Sequence, residues 1–166
     1  VIYKKLPYEP VKDFKFIRNI IEIPNVMVVP ADSPYNSVEE FIEAAKTKEM
    51  TFSSAGIGSS IHMSGELFKT MTGTQMTHVP FRGSGEALPA LLSGDVDVSF
   101  ENMPTVLSHI QSGKLKALAV TGNKRHAALP DVPAFSETPF PGMTARSWFG
   151  LFVPAGTPPA AIQKLS

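Results

Sequence analysis

The 166-residue chain contains no cysteine. Disulfides, thiolate metal sites and a cysteine nucleophile are thereby excluded, while the compartment stays open, since periplasmic proteins often lack cysteine. Net charge is missing too: 15 Lys and Arg balance 15 Asp and Glu. With no basic stripe, the chain does not read as a general nucleic-acid binder. No apolar run approaches the roughly 20 residues needed to span a bilayer. The opening VIYKKLPYEP lacks the apolar core of a signal peptide, and its abrupt start reads as the middle of a longer chain. What is there is globular material, 43% hydrophobic and 18% charged. That is enough for one substantial core or two small lobes sharing strands.

Proline (15) and glycine (12) cut the sequence into short units. FIRNIIEI and NVMVVP are β-branched runs split by Pro24, which predicts two strand segments meeting at a bend. SVEEFIEAAKTK follows Ser37 with Glu40 three residues on, a capping-box signature. TFSSA reads as a strand and SIHMSGELFKTMTG as a helix closed by Gly73. The alternation continues: strand TQMTHVPF, helix GEALPALLSG, strand VDVSFE, helix MPTVLSHIQSG, strand LKALAV. Strands alternating with helices of this length predict βαβ units and a mainly parallel sheet flanked by helices. The proline-rich RHAALPDVPAFSETPFPGM has room for one short helix. SWFGLFVP is a further strand, and TPPAAIQKLS opens a last helix on proline.

The stretch SSAGIGSSIHMSGELF places two glycines and a cluster of hydroxyls where a helix begins. In an open parallel sheet, ligands sit beyond the carboxyl ends of the strands. Gly56 and Gly58 permit positive φ and close approach of a guest. The amides of Gly58, Ser59 and Ser60 are first-turn donors, which with the helix dipole suit a carboxylate or phosphate. The hydroxyls of Ser53, Ser54, Ser59 and Ser60 add neutral donors. Ordinary turn and cap chemistry explains the same residues. The spacing fits neither a phosphate-binding nucleotide loop nor a dinucleotide fingerprint. VPFRGSGEALPALL repeats the logic with Arg82, Gly83, Ser84 and Gly85, and FENMPTVL repeats it with Asn102 before Met103 and Pro104. Three consecutive strand-to-helix junctions thus carry small polar donors, and only Arg82 offers a formal cation.

His62 falls in the first turn of the glycine-loop helix, where it can donate to a ligand, act as a base, or simply pack or cap. No acid stands near it in sequence to orient it. His78 sits inside a strand, and His109 and His126 near loops; none makes a metal-spaced pair. SAGIGS lacks the order of a nucleophile elbow. Glu66, Glu86, Asp95, Asp97 and Glu101 are spread over separate elements. The methionines read as core fillers, and Trp148 and Phe149 as packing in or near a strand.

The segment from FSSAGIGSSIHM through HVPFRGSGEA, GKLKALAVT and LPDVPAFSE, in that order, resembles the substrate-binding receptors of tripartite tricarboxylate transporters, the TctC or Bug-type proteins. LPYEPVKDFKFI before it and WFGLFVPAGTPPAAIQKL after it match as well. The resemblance implies a periplasmic receptor of the type II binding-protein fold, gripping its guest between two lobes and delivering it to membrane permease subunits. Its guests are small carboxylates: tricarboxylates, dicarboxylates, acidic amino acids or aromatic acids. By motif match, Ser54, Gly56, Gly58, Ser59 and Ser60 line the carboxylate site, with His62 at its edge. Gly83 and Ser84 form a second loop and Asn102 a third, while Arg82 faces outward or braces its loop. No cofactor, metal or catalytic residue is implied. Receptors of this family are longer, so residues 28–146 are expected to form lobe two. Residues 1–27 and 147–166 are expected to be lobe-one remnants with the two crossing strands, whose open edges invite pairing between copies. The rival readings are the effector-binding domain of a transcriptional regulator and, further off, a carboxylate-processing enzyme.

Overall fold

The structure, a computed structural model, describes residues 4–166; the first three residues of the abrupt opening lie outside it. Two compact units emerge: Pro24–Ser147, and the residues up to Ile23 together with Trp148–Ser166. The larger unit begins at Pro24 and ends at Ser147, against the expected 28–146.

In the larger unit, the second half of strand β1 (Phe14–Pro30) lies among β2 (Met50–Ser54), β3 (Met76–Pro80), β4 (Val98–Asn102) and β5 (Leu115–Val120). The sheet order is β3-β2-β4-β1-β5. β2 runs parallel to both β3 and β4, whereas β1 is antiparallel to β4 and β5. The sheet is therefore parallel apart from one inserted strand. The carboxyl ends of β2, β3 and β4 share one edge, where helices α2 (Ser60–Thr72), α3 (Ser84–Leu92) and α4 (Met103–Gln111) start. Helix α1 (Val38–Thr47) precedes β2, and the proline-rich segment holds one 3-10 turn, Phe135–Glu137.

Pro24 does not divide two strands. β1 runs unbroken for 17 residues, exposed along its first half and buried from Asn25 onward. Its ladder in the larger unit begins just past the proline, at Asn25, so the missing N–H removes no rung there. Ser37 caps α1 as expected, accepting from the Glu40 amide at 3.1 Å. The return bond of the box is displaced by one residue, because Glu40 Oε2 accepts from the Asn36 amide at 2.7 Å.

The core gathers the inward faces of these elements around Phe41, Phe52, Phe68, Phe100 and Phe135, all at most 1% exposed. Helix α2 reaches the sheet through Gly65: a Cβ there would lie 2.3 Å from the Phe52 ring. Gly65→Ala should therefore overpack this contact and cost about 1–3 kcal/mol. A lowered thermal midpoint is the expected reading, and an unchanged one would refute the close packing.

In the smaller unit, β6 (Arg146–Pro154) pairs with β1, and α5 (Pro159–Leu165) follows. Phe16 and Phe152 pack with tilted rings across this ribbon, centroids 5.1 Å apart. Trp148 and Phe149 lie in β6 as expected but stand exposed, as do Phe16 and Ile20.

Candidate functional site

The first junction follows β2. Gly56 holds φ at 122°, a backbone that side chains rarely adopt. Its carbonyl accepts from the Ser59 amide at 3.1 Å and the Ser59 hydroxyl at 2.8 Å. Ser59 in turn caps α2, accepting from the His62 amide at 3.2 Å. The Gly58 amide donates to Nδ1 of His62 at 3.1 Å. Two of the three amides expected to wait for an anion are thus engaged inside the loop: Gly58 to His62, and Ser59 to Gly56. The cause is local, because a loop that turns this tightly before a helix satisfies its own donors.

Ser54 also departs from expectation. It is fully buried, and its hydroxyl lies 2.6 Å from Nε2 of His78 and accepts from the Gly56 amide at 3.1 Å. It braces the loop from beneath instead of lining its surface. The β2–β3 register sets Phe52 beside His78, and His62 comes down from α2 to stack on His78 with ring centroids 4.1 Å apart. Two histidines that are unrelated in sequence therefore form a stack over Phe52. Burial foremost, then the neighbouring His62, pulls the His78 imidazole below its ordinary value. An acid does reach His62: Glu66, one turn along α2, brings Oε1 to 3.9 Å from Nε2, while pairing with Lys69 at 2.9 Å. Among the described residues no group of three or more metal-ligating side chains forms.

The second junction follows β3. Gly83 is the N-cap of α3 and Ser84 its first residue. The Ser84 hydroxyl lies 3.0 Å from Oε2 of Glu101, near the end of β4. Glu101 is 1% exposed, and its Oε1 has no partner. Arg82 is exposed, as expected, and its amide donates to Glu86 at 3.2 Å. Burial pushes the Glu101 carboxyl above the ordinary carboxylate range, against the opposing pull of the Ser84 hydroxyl and the Asn102 backbone. A folded chain that holds this proton more tightly than the unfolded one is stabilised below the ordinary glutamate value. That contribution is lost as pH rises through the raised one. Glu101→Gln should therefore gain on the native chain as pH increases. Thermal midpoints of the two at pH 5 and pH 8 check this; a gap constant with pH would contradict it.

The third junction is built on Asn102, which precedes α4. Its side chain makes no cap bond. Instead Oδ1 accepts from the Ser147 hydroxyl and, at 3.3 Å, from Nδ2 of Asn25. The Ser147 hydroxyl also lies 2.6 Å from that of Ser60. Asn25 Nδ2 donates to the Phe100 carbonyl at 2.8 Å, and the Asn25 amide donates to the Thr121 hydroxyl at 2.8 Å. Ser60 and Asn102, expected from sequence, are thus brought together by Asn25, Thr121 and Ser147, which were not. The one sequence sign was a polar residue interrupting the apolar run IPNVMVV.

Ser60, Ser84 and Asn102 stand at neighbouring junctions along one sheet edge, with hydroxyl and amide groups in place of paired cations. Such a rim can hold a polar anion through neutral donors. A parallel sheet crossed by one antiparallel strand and flanked by helices is shared with solved periplasmic binding proteins such as BugD, which has a TM-score of 0.93 at 32% identity, covering 99% of this chain and 56% of that one. The family model "Tripartite tricarboxylate transporter family receptor" matches residues 1–166, and the chain belongs to that family. Protein BugT of Bordetella pertussis is 35% identical over 97% of this chain and 50% of its own length. Among solved structures, "R. palustris Rpa4515 with adipate" has a TM-score of 0.95 at 34% identity, covering 99% of this chain and 56% of that one. MatC from Rhodopseudomonas palustris with bound malate has a TM-score of 0.91 at 32% identity, over 99% and 56%. The chain thus spans about half the length of these relatives.

Proposed function

We propose that the chain is part of an extracytoplasmic receptor that captures a small organic carboxylate for a tripartite tricarboxylate transporter. One observation carries this reading: three consecutive strand-to-helix junctions set Ser60, Ser84 and Asn102 on one edge of the sheet. Gly56, Gly58, Ser59 and Gly83 shape the loops behind them, and His62 stands at the first loop's edge. Family membership and the adipate and malate in two structural neighbours support the ligand class. Neither rival reading, regulator or enzyme, finds support in these likenesses. Ser54 with His78, a serine–histidine pair, joins a fully buried hydroxyl to a half-buried ring, and Ser54 also holds the Gly56 amide, so the pair reads as a brace for the loop. The partners this implies are the permease subunits, and the location is the periplasm.

Calorimetric titration with malate, adipate, citrate and an aromatic acid tests the ligand class. Saturable heat with at least one acid is expected, and Asn102→Ala should weaken that binding. No heat with any of the panel would overturn the reading.

A further inference from the structure

Glu101 is not explained by the rim it stands behind. Strand alternation puts Phe100 in the main core and turns Ser99 and Glu101 to the opposite face of β4. Among the described residues, the neighbours buried beside it on the surrounding elements are uncharged. Across β1 the register partner is Val26, and across β2 the neighbour of Ser99 is Ser53. α4 buries Met103 and Val106, and α3 buries Ala87 and Leu91. Arg82 on the second loop and Glu86 in the first turn of α3 stay exposed. The groups that act on Glu101 are burial itself, the Ser84 hydroxyl and the Asn102 backbone. A carboxylate sealed in this way, with one oxygen unpartnered, is costly when ionised and acceptable when neutral.

We propose that Glu101 is a positioning residue whose proton sets the direction of the Ser84–Glu101 hydrogen bond, making capture of a carboxylate at the second junction proton-coupled. When Glu101 is ionised, its Oε2 can only accept, so the single hydroxyl proton of Ser84 is spent on it. When Glu101 takes up a proton from solvent, Oε2–H donates to Ser84 Oγ across the same 3.0 Å contact. The Ser84 O–H is then released to donate to an oxygen of the guest. Neutral Glu101 also removes a buried negative charge from behind an arriving negative guest, which matters most where water is excluded. Below the pH at which Glu101 ionises, capture needs no proton; above it, each guest bound takes one up. This inference rests on the proposed carboxylate-binding function and deepens it.

Calorimetric titration of the full chain and of Glu101→Gln with malate and adipate, from pH 5 to pH 8.5, tests the coupling. The Gln amide donates to Ser84 at every pH and so imitates the neutral acid. The native chain should bind up to roughly tenfold more weakly per pH unit once Glu101 ionises. Glu101→Gln should hold its low-pH affinity throughout. Titration of the guest affects both proteins alike, so the ratio of the two affinities isolates Glu101. Ser84→Ala should bind weakly at all pH values and fall less steeply than the native chain at high pH, because only the repulsion from ionised Glu101 remains. A ratio constant with pH, or Glu101→Gln as weak as Ser84→Ala, would overturn the coupling and leave the receptor reading intact. Failure of both acids to bind the native chain at every pH would sink the inference together with the ligand class on which it rests.

Discussion

Phe52→Ala should remove about 3–5 kcal/mol of stability. Against a total of about 5–15 kcal/mol for an ordinary domain, that leaves a chain close to unfolding. The size follows from where the ring sits. Phe52 is fully buried on β2, which is flanked by β3 and β4. Gly65 of α2 packs on one side of it, and the His78 ring lies 4.8 Å away. Truncation opens a cavity where the α2 backbone comes close to the sheet at Gly65, and the facing glycine has no side chain to fill it. The His62–His78 stack loses its floor as well, and with it the brace on Ser54. Chemical denaturation should show the midpoint falling steeply for Phe52→Ala and much less for Phe52→Leu, which keeps most of the volume. A loss under 1 kcal/mol for the alanine variant would mean that the ring is not the keystone of this packing.

The second large effect belongs to Asn25. Asn25→Ala leaves the Phe100 carbonyl without this donor in a buried setting, and part-buried Asn102 Oδ1 with Ser147 as its remaining one. The expected cost is about 1–3 kcal/mol of stability. Binding should suffer too, because Asn102 loses a contact that fixes its side chain toward Ser147 and Ser60. A double-mutant cycle with Asn102→Ala separates the two effects. If the pair acts as one network, the double variant should be less damaged than the sum of the singles, with coupling of about 0.5–3 kcal/mol. Additive losses would contradict a shared network.

Local chemistry was legible in the sequence. Ser59 as a cap and Gly73 as a left-handed stop can be read from their neighbours, because the bonds concerned span three or four residues. So could the alternation of strands and helices, since each element carries its own period. The order β3-β2-β4-β1-β5 follows from the family fold and from no single pattern. Three matters were hidden for physical reasons. Pro24 reads as a break, yet the ladder starts beyond it, so β1 continues. The glycine-loop amides read as free donors, whereas His62 and the Gly56 carbonyl take two of them; side-chain direction cannot be seen in a sequence. Asn25, Asn102 and Ser147 meet across separations of 77 and 45 residues, which nothing local announces. Glu101 looked like one of several scattered carboxylates. Only the helices covering its face make it the buried one.

The account stands or falls on the rim of three junctions as the seat of a carboxyl group. Amide chemical-shift mapping of the isotope-labelled chain, titrated with malate and adipate, tests this most directly. The account predicts saturable shifts concentrated at residues 56–62, 82–85 and 101–103, with Asn25 and Ser147 following because they share bonds with Ser60 and Asn102. Shifts centred elsewhere, such as on the exposed aromatic ribbon of β1 and β6, with those three segments unmoved, would contradict it.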